Sequence, residues 1–295
     1  MLAEVLEHLR PRPGAVMLDG TAGGGGHAEA LLERLRPGGR LILLDRDREA
    51  LERLVARLGR GPDVAYFHAN FCDFDQALRQ AGEPSLDGAL LDLGLSSGQL
   101  ADAGRGFSLQ TPGPLDMRFD PSEGVTAGEI VNRWDAERLV ELFSKLGDQP
   151  YARRIARAIL EARRRRRIGR TDELAEIVAR AVPAPYRHRK RVHPATRVFQ
   201  ALRMAVNDEV GSLERFGGKI FDFLKPGGRV AVLAYHSGED RIVKERFREA
   251  VRAGLAQLPV RKPITPTSAE VRSNPRSRSA RLRVAERVGP AAGSE

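Results

Sequence analysis

The sequence predicts an α/β fold: a mostly parallel sheet covered by helices, interrupted by an inserted helical domain. Three observations lead there. Short apolar runs alternate with helix-periodic segments through residues 15–92. The rhythm stops between residues 106 and 205, where only helical patterns occur. It resumes after Lys225-Pro226-Gly227-Gly228 with the apolar run at 229–235. The expected division is a discontinuous α/β domain, 1–105 with 206–295, and an inserted helical domain, 106–205.

Each element follows from its local pattern. The run at 15–18 ends at Asp19 and leads into the glycines at 23–26. A helix follows at 27–35, with Ala28, Leu31, Leu32 and Leu35 on one face, and Pro37-Gly38-Gly39 stops it. The run at 41–44 ends at Asp45, and 49–58 reads as a helix with Leu51, Leu54, Val55 and Leu58 on one face. The run at 64–67 leads to Asn70 and Phe71, and the run at 86–91 ends at Asp92. Such short, nearly all-apolar strands suit a parallel sheet buried on both faces. In the insertion, helices are expected at 127–134, 136–146, 151–167, 171–181 and 195–206, with Thr171 as an N-cap. The alternating stretch 280–288 reads as a late strand at a sheet edge, and the tail after Gly289 as disordered.

Composition narrows the class. With 295 residues, 41% apolar and 30% charged, the chain reads as globular and large enough for a sizeable core. A single cysteine, Cys72, excludes an internal disulfide framework and a cysteine zinc cluster, and fits a reducing, cytoplasmic setting. No apolar run approaches the ~18–20 residues that span a bilayer. Aromatic residues are 5%, too few for nucleic-acid binding based mainly on stacking. The net charge of +10 is uneven. Residues 1–105 carry 12 basic and 16 acidic groups, 106–205 carry 20 and 12, and 206–295 carry 17 and 11. A phosphate-rich partner would therefore meet the later segments, at the arginines of 163–167 and Arg170, the basic run 187–191, or the patch 274–281.

Polar residues at four successive strand ends form a site pattern, because ligands in open α/β sheets bind beyond the carboxyl ends of the strands. The loop Gly20-Thr21-Ala22-Gly23-Gly24-Gly25-Gly26-His27 joins the first strand to the first helix. Read from Gly23 it resembles the dinucleotide fingerprint, a pattern that four consecutive glycines meet easily. Asp45, at the next strand end, is placed to accept both hydroxyls of a ribose. Two nucleotide cofactors fit this layout. A nicotinamide dinucleotide brings a pyrophosphate that avoids anions. S-adenosylmethionine brings a sulfonium cation, and Asp19 and Asp92 favour it. Phe71 suits either a purine face or the core, and His27 either a ligand contact or a structural helix start. Asp92, at the fourth strand end, stands where a carboxylate can accept the N–H groups of an exocyclic amine undergoing methylation. No metal site is read.

The stretches DGTAGGGGH, LLDLGLSSGQL, RGFS, GPLDMR, RIARAI, HPATRVFQALRMAVNDE, PGGR, HSGEDRIVK and NPRSRSARLR occur in the order and spacing of one family. The chain resembles, over about residues 1–288, the bacterial small-subunit ribosomal RNA methyltransferase H family, also called MraW. The resemblance implies a class I S-adenosylmethionine-dependent methyltransferase fold, Rossmann-like, with an inserted helical domain. It implies methylation at N4 of one cytidine in the decoding region of 16S ribosomal RNA. By matching position it implies that Gly25, Gly26, His27, Asp45, Phe71, Asp92 and Gln99 hold the cofactor, with Asp92 also a candidate catalytic acceptor. The partner implied is the RNA, in the small subunit, with the protein a monomer or a homodimer. Two departures stand out. The family's opening His-x-Pro-Val-Leu segment does not precede Met1-Leu2-Ala3-Glu4, so either the start lies upstream or part of the substrate-side wall is missing. Gly238 stands where leucine is usual, which is expected to loosen the turn after the resumed strand.

Two other functions compete. One is a nicotinamide-dependent oxidoreductase, supported by the glycine loop and Asp45 but lacking an acid/base set for hydride transfer. The other is a non-catalytic RNA-binding or assembly factor on a methyltransferase scaffold.

Overall fold

A computed structural model describes residues 1–184 and 193–289. The basic run 187–191 and the tail beyond Gly289 lie outside the described residues. The chain divides into two compact units: residues 1–94 with 210 onward, and Leu95–Glu209.

The first unit is built on a seven-stranded sheet: β1 (Val16–Asp19), β2 (Arg40–Asp45), β3 (Val64–His68), β4 (Leu86–Asp92), β5 (Leu224–Ala234), β6 (Ala256–Gln257) and β7 (Arg281–Arg287). Their order is β3-β2-β1-β4-β5-β7-β6. The first five are parallel, and β7 pairs antiparallel with both β5 and β6. The order reverses between β1 and β4, the place where an open α/β sheet forms a ligand crevice. Strand periodicity sorts the core into two faces. Leu18, Ile42, Leu44, Ala89, Leu91, Val230 and Val232 pack into one cluster, with Phe74 of helix Phe74–Ala81, Phe216 of Glu209–Phe223 and Phe247 of Ser237–Arg252. Met17, Leu41, Leu43, Leu90, Ala231 and Leu233 pack into the other, with Leu9 of Leu2–Leu9, Leu31 of Gly26–Leu35 and Leu54 of Arg48–Leu58. Burial on both faces explains why these strands carry apolar residues without alternation.

β7 corrects the expected edge position: it lies inside the sheet, between β5 and the two-residue β6. The alternation read from 280–288 is therefore not an edge pattern. Leu282, Val284 and Ala285 are all buried, while Arg283 between them donates to Asp240 at 2.6 Å. The buried Arg229 of β5 pairs with the half-buried Glu286 of β7 at 2.7 Å.

The second unit is helical, with Ala127–Arg133, Ala136–Lys145, Ala152–Arg165, Thr171–Ala181 and Thr196–Val206 around a core that includes Leu139, Phe143, Ile155, Ile159, Leu174, Val178 and Leu202. Its first boundary falls at 94/95 rather than the expected 105/106. Local bonding explains this, because Arg105 donates to the carbonyls of Arg118 and Phe119 and accepts from Met117 N, tying 95–105 into this unit. Thr171 is not an N-cap. It is the first residue of its helix, and its hydroxyl accepts from Gly113 N at 3.0 Å.

Candidate active site

The first unit brings Asp19, His27, Asp45 and Asp92 to the carboxyl ends of β1, β2 and β4 and to the helix start that follows β1. The loop between β1 and that helix is shaped by glycine. Gly25 has φ 77°, and a Cβ there would stand about 2 Å from Leu54 and Arg57. Only glycine meets both conditions. Gly20 is confined likewise, since a Cβ would meet Leu91 at 2.6 Å and Phe71 at 2.9 Å. At Gly24 and Gly26 an added Cβ would meet nothing within 4 Å, so the loop backbone there can be approached closely by a ligand.

Asp45 closes the loop from the neighbouring strand. Its Oδ2 accepts from Gly23 N at 2.7 Å and its Oδ1 from Asp47 N at 2.8 Å. Burial raises its pKa above the ordinary carboxylate value, against the lowering effect of these backbone donors. Each oxygen keeps acceptor capacity beyond one backbone bond. Asp47 in turn caps helix Arg48–Leu58 through Ala50 N.

Asp19, Thr21, His27, Asp92 and Tyr235 form a second group. Asp92 N donates to Thr21 Oγ1 at 2.6 Å, and Asp19 Oδ1 accepts from Thr21 N at 3.1 Å. Tyr235 donates its hydroxyl to Asp92 Oδ1 at 2.8 Å, and His27 Nδ1 lies 3.4 Å from Asp92 Oδ2. Asp19 is 1% exposed, and burial pushes its carboxyl up to about 6, opposed by the charge of His27. Burial works against charge on His27, but the hydrogen bond and charge of Asp92, with the charge of Asp19, outweigh it and hold the imidazole above its usual pKa. Burial and then the charge of Asp92 drive the Tyr235 phenol far upward, so it is a neutral donor. Asp19 Oδ2 and His27 Nε2 are buried without a hydrogen-bond partner. An unmet buried polar group costs on the order of 1–3 kcal/mol.

This donor set fits one candidate cofactor. Buried carboxylates beside a glycine loop oppose a pyrophosphate and suit a ligand that carries positive charge. Asp19 Oδ2, with acceptor capacity and no partner, suits an ammonium or sulfonium ligand such as S-adenosylmethionine. The described residues contain no group of His, Cys, Asp and Glu arranged to hold a metal ion.

Other expected residues have local roles. Phe71 meets Phe216 edge-on at 5.9 Å and backs Gly20, so part of its surface belongs to the core. Asn70 accepts from Cys72 N and donates to Ser212. Gln99 belongs to the second unit, where its side chain accepts from Ser96 N and its own N–H donates to Ser96 Oγ in a capping box. The turn after β5, expected to be loosened by Gly238, is closed by Glu239 Oε2, which accepts from Tyr235 N at 2.9 Å. Thr21 and Tyr235 are the site residues that sequence reasoning missed. Tyr235 carried a usable signal, because it ends an apolar run just as Asp19, Asp45 and Asp92 do.

In the second unit the arginine run divides. Arg163 Nη1 donates to the carbonyls of Val131 and Trp134 at 2.9 and 2.6 Å, where helix Ala127–Arg133 ends. Arg166 pairs with Glu173 and Arg170 with Asp172. Arg153, Arg154, Arg164, Arg165 and Arg167 stand exposed.

A sequence profile of the MraW methylase family matches residues 1–288. Three proteins named ribosomal RNA small subunit methyltransferase H align over 98% of the chain. That of Nitratidesulfovibrio vulgaris is 48% identical and covered over 84% of its length. That of Syntrophotalea carbinolica is 47% identical and covered over 96%, and that of Thermomicrobium roseum 45% and 92%.

Proposed function

The chain belongs to the MraW methylase family, and from that premise we propose that it methylates N4 of a cytidine in the decoding region of 16S ribosomal RNA. It is an S-adenosylmethionine-dependent ribosomal RNA methyltransferase. The observation that supports the proposed roles is the group of acids at the reversal between β1 and β4, with Asp19 Oδ2 unpartnered and Asp92 oriented from both sides.

S-adenosylmethionine supplies, when bound, a methyl group on a cationic sulfur. Asp45 would hold the ribose through the acceptor capacity left on its two oxygens. Asp19 and Asp92 would supply negative charge to the cationic part of the ligand. Gly25 gives the loop its turn against Leu54 and Arg57, Gly26 leaves the backbone open to close approach, and His27 adds a weak contact to Asp92 at 3.4 Å. The lone pair of a nucleobase amine is delocalised into its ring. Asp92 accepts the amine's N–H, which favours a pyramidal nitrogen and the positive charge that grows on it. Its side chain is 29% exposed, so it can accept the surplus proton of the product and release it to water. No covalent nucleophile is required, and Cys72 is buried in the core.

The substrate RNA docks through the exposed arginines of helix Ala152–Arg165, in the setting of the small ribosomal subunit and the cytoplasm. No helix of the described residues is long and apolar enough to cross a membrane. The test is transfer of labelled methyl to small-subunit particles and to naked 16S RNA, with the modified nucleotide mapped. Label on the exocyclic nitrogen of one cytidine is expected. Label on a ring carbon or a ribose, or none on either substrate, overturns the proposal.

A further inference from the structure

We infer that Tyr235 is a positioning residue of the methyl transfer, holding the Asp92 carboxylate in the orientation that receives the target amine. The inference rests on the reading of Asp92 as the amine acceptor. Asp92 ends β4, and its carboxylate torsion is broad and roughly two-fold, so the backbone alone leaves its oxygens free to turn. Three neighbours restrict it. Thr21 Oγ1 takes its backbone N–H at 2.6 Å and fixes the strand end. His27 Nδ1 stands 3.4 Å from Oδ2, a long approach that orients weakly. Tyr235 gives Oδ1 a hydrogen bond at 2.8 Å, short and charge-assisted, and this bond sets the plane of the carboxylate.

The tyrosine is itself held firmly. It follows β5 directly, and β5 pairs with β4 in a register that puts Leu233 beside Asp92. Leu93 N donates to Leu233 O at 3.0 Å, continuing that pairing past the site. Glu239 Oε2 accepts from Tyr235 N at 2.9 Å, so the residue's backbone is tied on its other side. A phenol on a fixed backbone has few rotamers to lose, which makes it a precise support for a mobile carboxylate. A carboxylate only accepts, so the phenol must donate. Each Asp92 oxygen has capacity for more than one donor. With Tyr235 on Oδ1 and His27 beside Oδ2, acceptor capacity remains for the N–H groups of an amine.

Tyr235→Phe tests this, since it keeps the ring and removes only the hydroxyl. Methyl transfer to small-subunit particles should show kcat lowered roughly tenfold, with the KM for S-adenosylmethionine within about twofold of wild type. The melting temperature should change little. In an Asp92→Ala background, adding Tyr235→Phe should lower the residual rate by less than about twofold, because the group it positions is gone. An unchanged kcat, a raised KM with unchanged kcat, or a full tenfold loss in the Asp92→Ala background would each overturn the positioning role. If Asp92→Ala itself turns over at the wild-type rate, it is the acceptor reading that fails, and the positioning role falls with it.

Discussion

Asp19, His27, Asp92 and Tyr235 crowd the strand ends of the first unit, with two buried polar atoms unpartnered, while the arginines of 153–170 in the second unit stand in water or satisfy their own neighbours. The second region carries more exposed charge, yet the first is the one with unmet buried polar atoms. Exposed charge is solvated and inexpensive, so its presence says little about role. Buried charge is destabilising unless something offsets it, so an unpartnered carboxylate oxygen beside a glycine loop points to a ligand.

Asp92→Ala is the sharpest way to break this contrast. Turnover at saturating cofactor should fall by roughly a hundredfold or more, the scale of general acid–base and oriented-dipole effects. Cofactor affinity measured by calorimetry should fall much less. Equal losses in both would make Asp92 a cofactor contact alone. Asp45→Ala should reverse the pattern. Loss of a charge-assisted pair of hydrogen bonds should weaken S-adenosylmethionine binding by about 1.5–3 kcal/mol, and unchanged affinity in a folded variant would remove Asp45 from the ribose role.

The buried acid also predicts a pH effect of unusual sign. Most structural carboxylates have depressed pKa values and stabilise as pH rises. Asp19 is raised to about 6, so the folded state binds a proton that the unfolded state releases near pH 4. The stability due to that proton is full below about pH 4 and is lost as pH rises through about 6. Asp19→Asn should therefore stabilise the ligand-free protein at pH 7.5 by on the order of 1–3 kcal/mol, and hardly at all at pH 4. His27 trims the gain, because it loses part of what holds its pKa up. Urea unfolding at the two pH values measures this, and equal effects at both would mean Asp19 is ionised in both states.

The smallest effects separate neighbouring arginines. Arg163→Ala should cost about 1–2 kcal/mol of stability, since two carbonyls at a helix end lose their donor, with the salt dependence of RNA binding unchanged. The pair Arg164→Gln and Arg165→Gln should leave stability within about 0.5 kcal/mol. It should flatten the log–log salt slope by roughly 0.7–0.9 for each phosphate that is no longer neutralised. A slope unmoved by that pair would assign these arginines to a solvated face.

Much of the site was legible. The placement of the glycine loop and Asp45 was readable because each follows directly on a strand that declares itself by an apolar run. His27 was open between a ligand contact and a structural helix start, and its 3.4 Å approach to Asp92 favours a part in the site. Phe71 was open between purine and core, and its edge-on packing with Phe216 shows that the core claims a share. Tyr235 was not legible as a partner of Asp92, because the two are separated by 143 positions and only the β4–β5 register brings them together.

Local pattern was sufficient for the parallel strands β1 to β4, the helices between them and the row of polar strand ends. Side-chain periodicity and turn chemistry are properties of a few neighbouring residues, and they act before any distant pairing forms. The folded chain alone decided that β7 lies inside the sheet, that Arg163 serves carbonyls while Arg164 faces water, and that Tyr235 rather than a nearer residue supports Asp92. Each depends on which remote segment supplies the hydrogen-bond partner. That partner is set by sheet order and helix packing, which no local run of residues encodes.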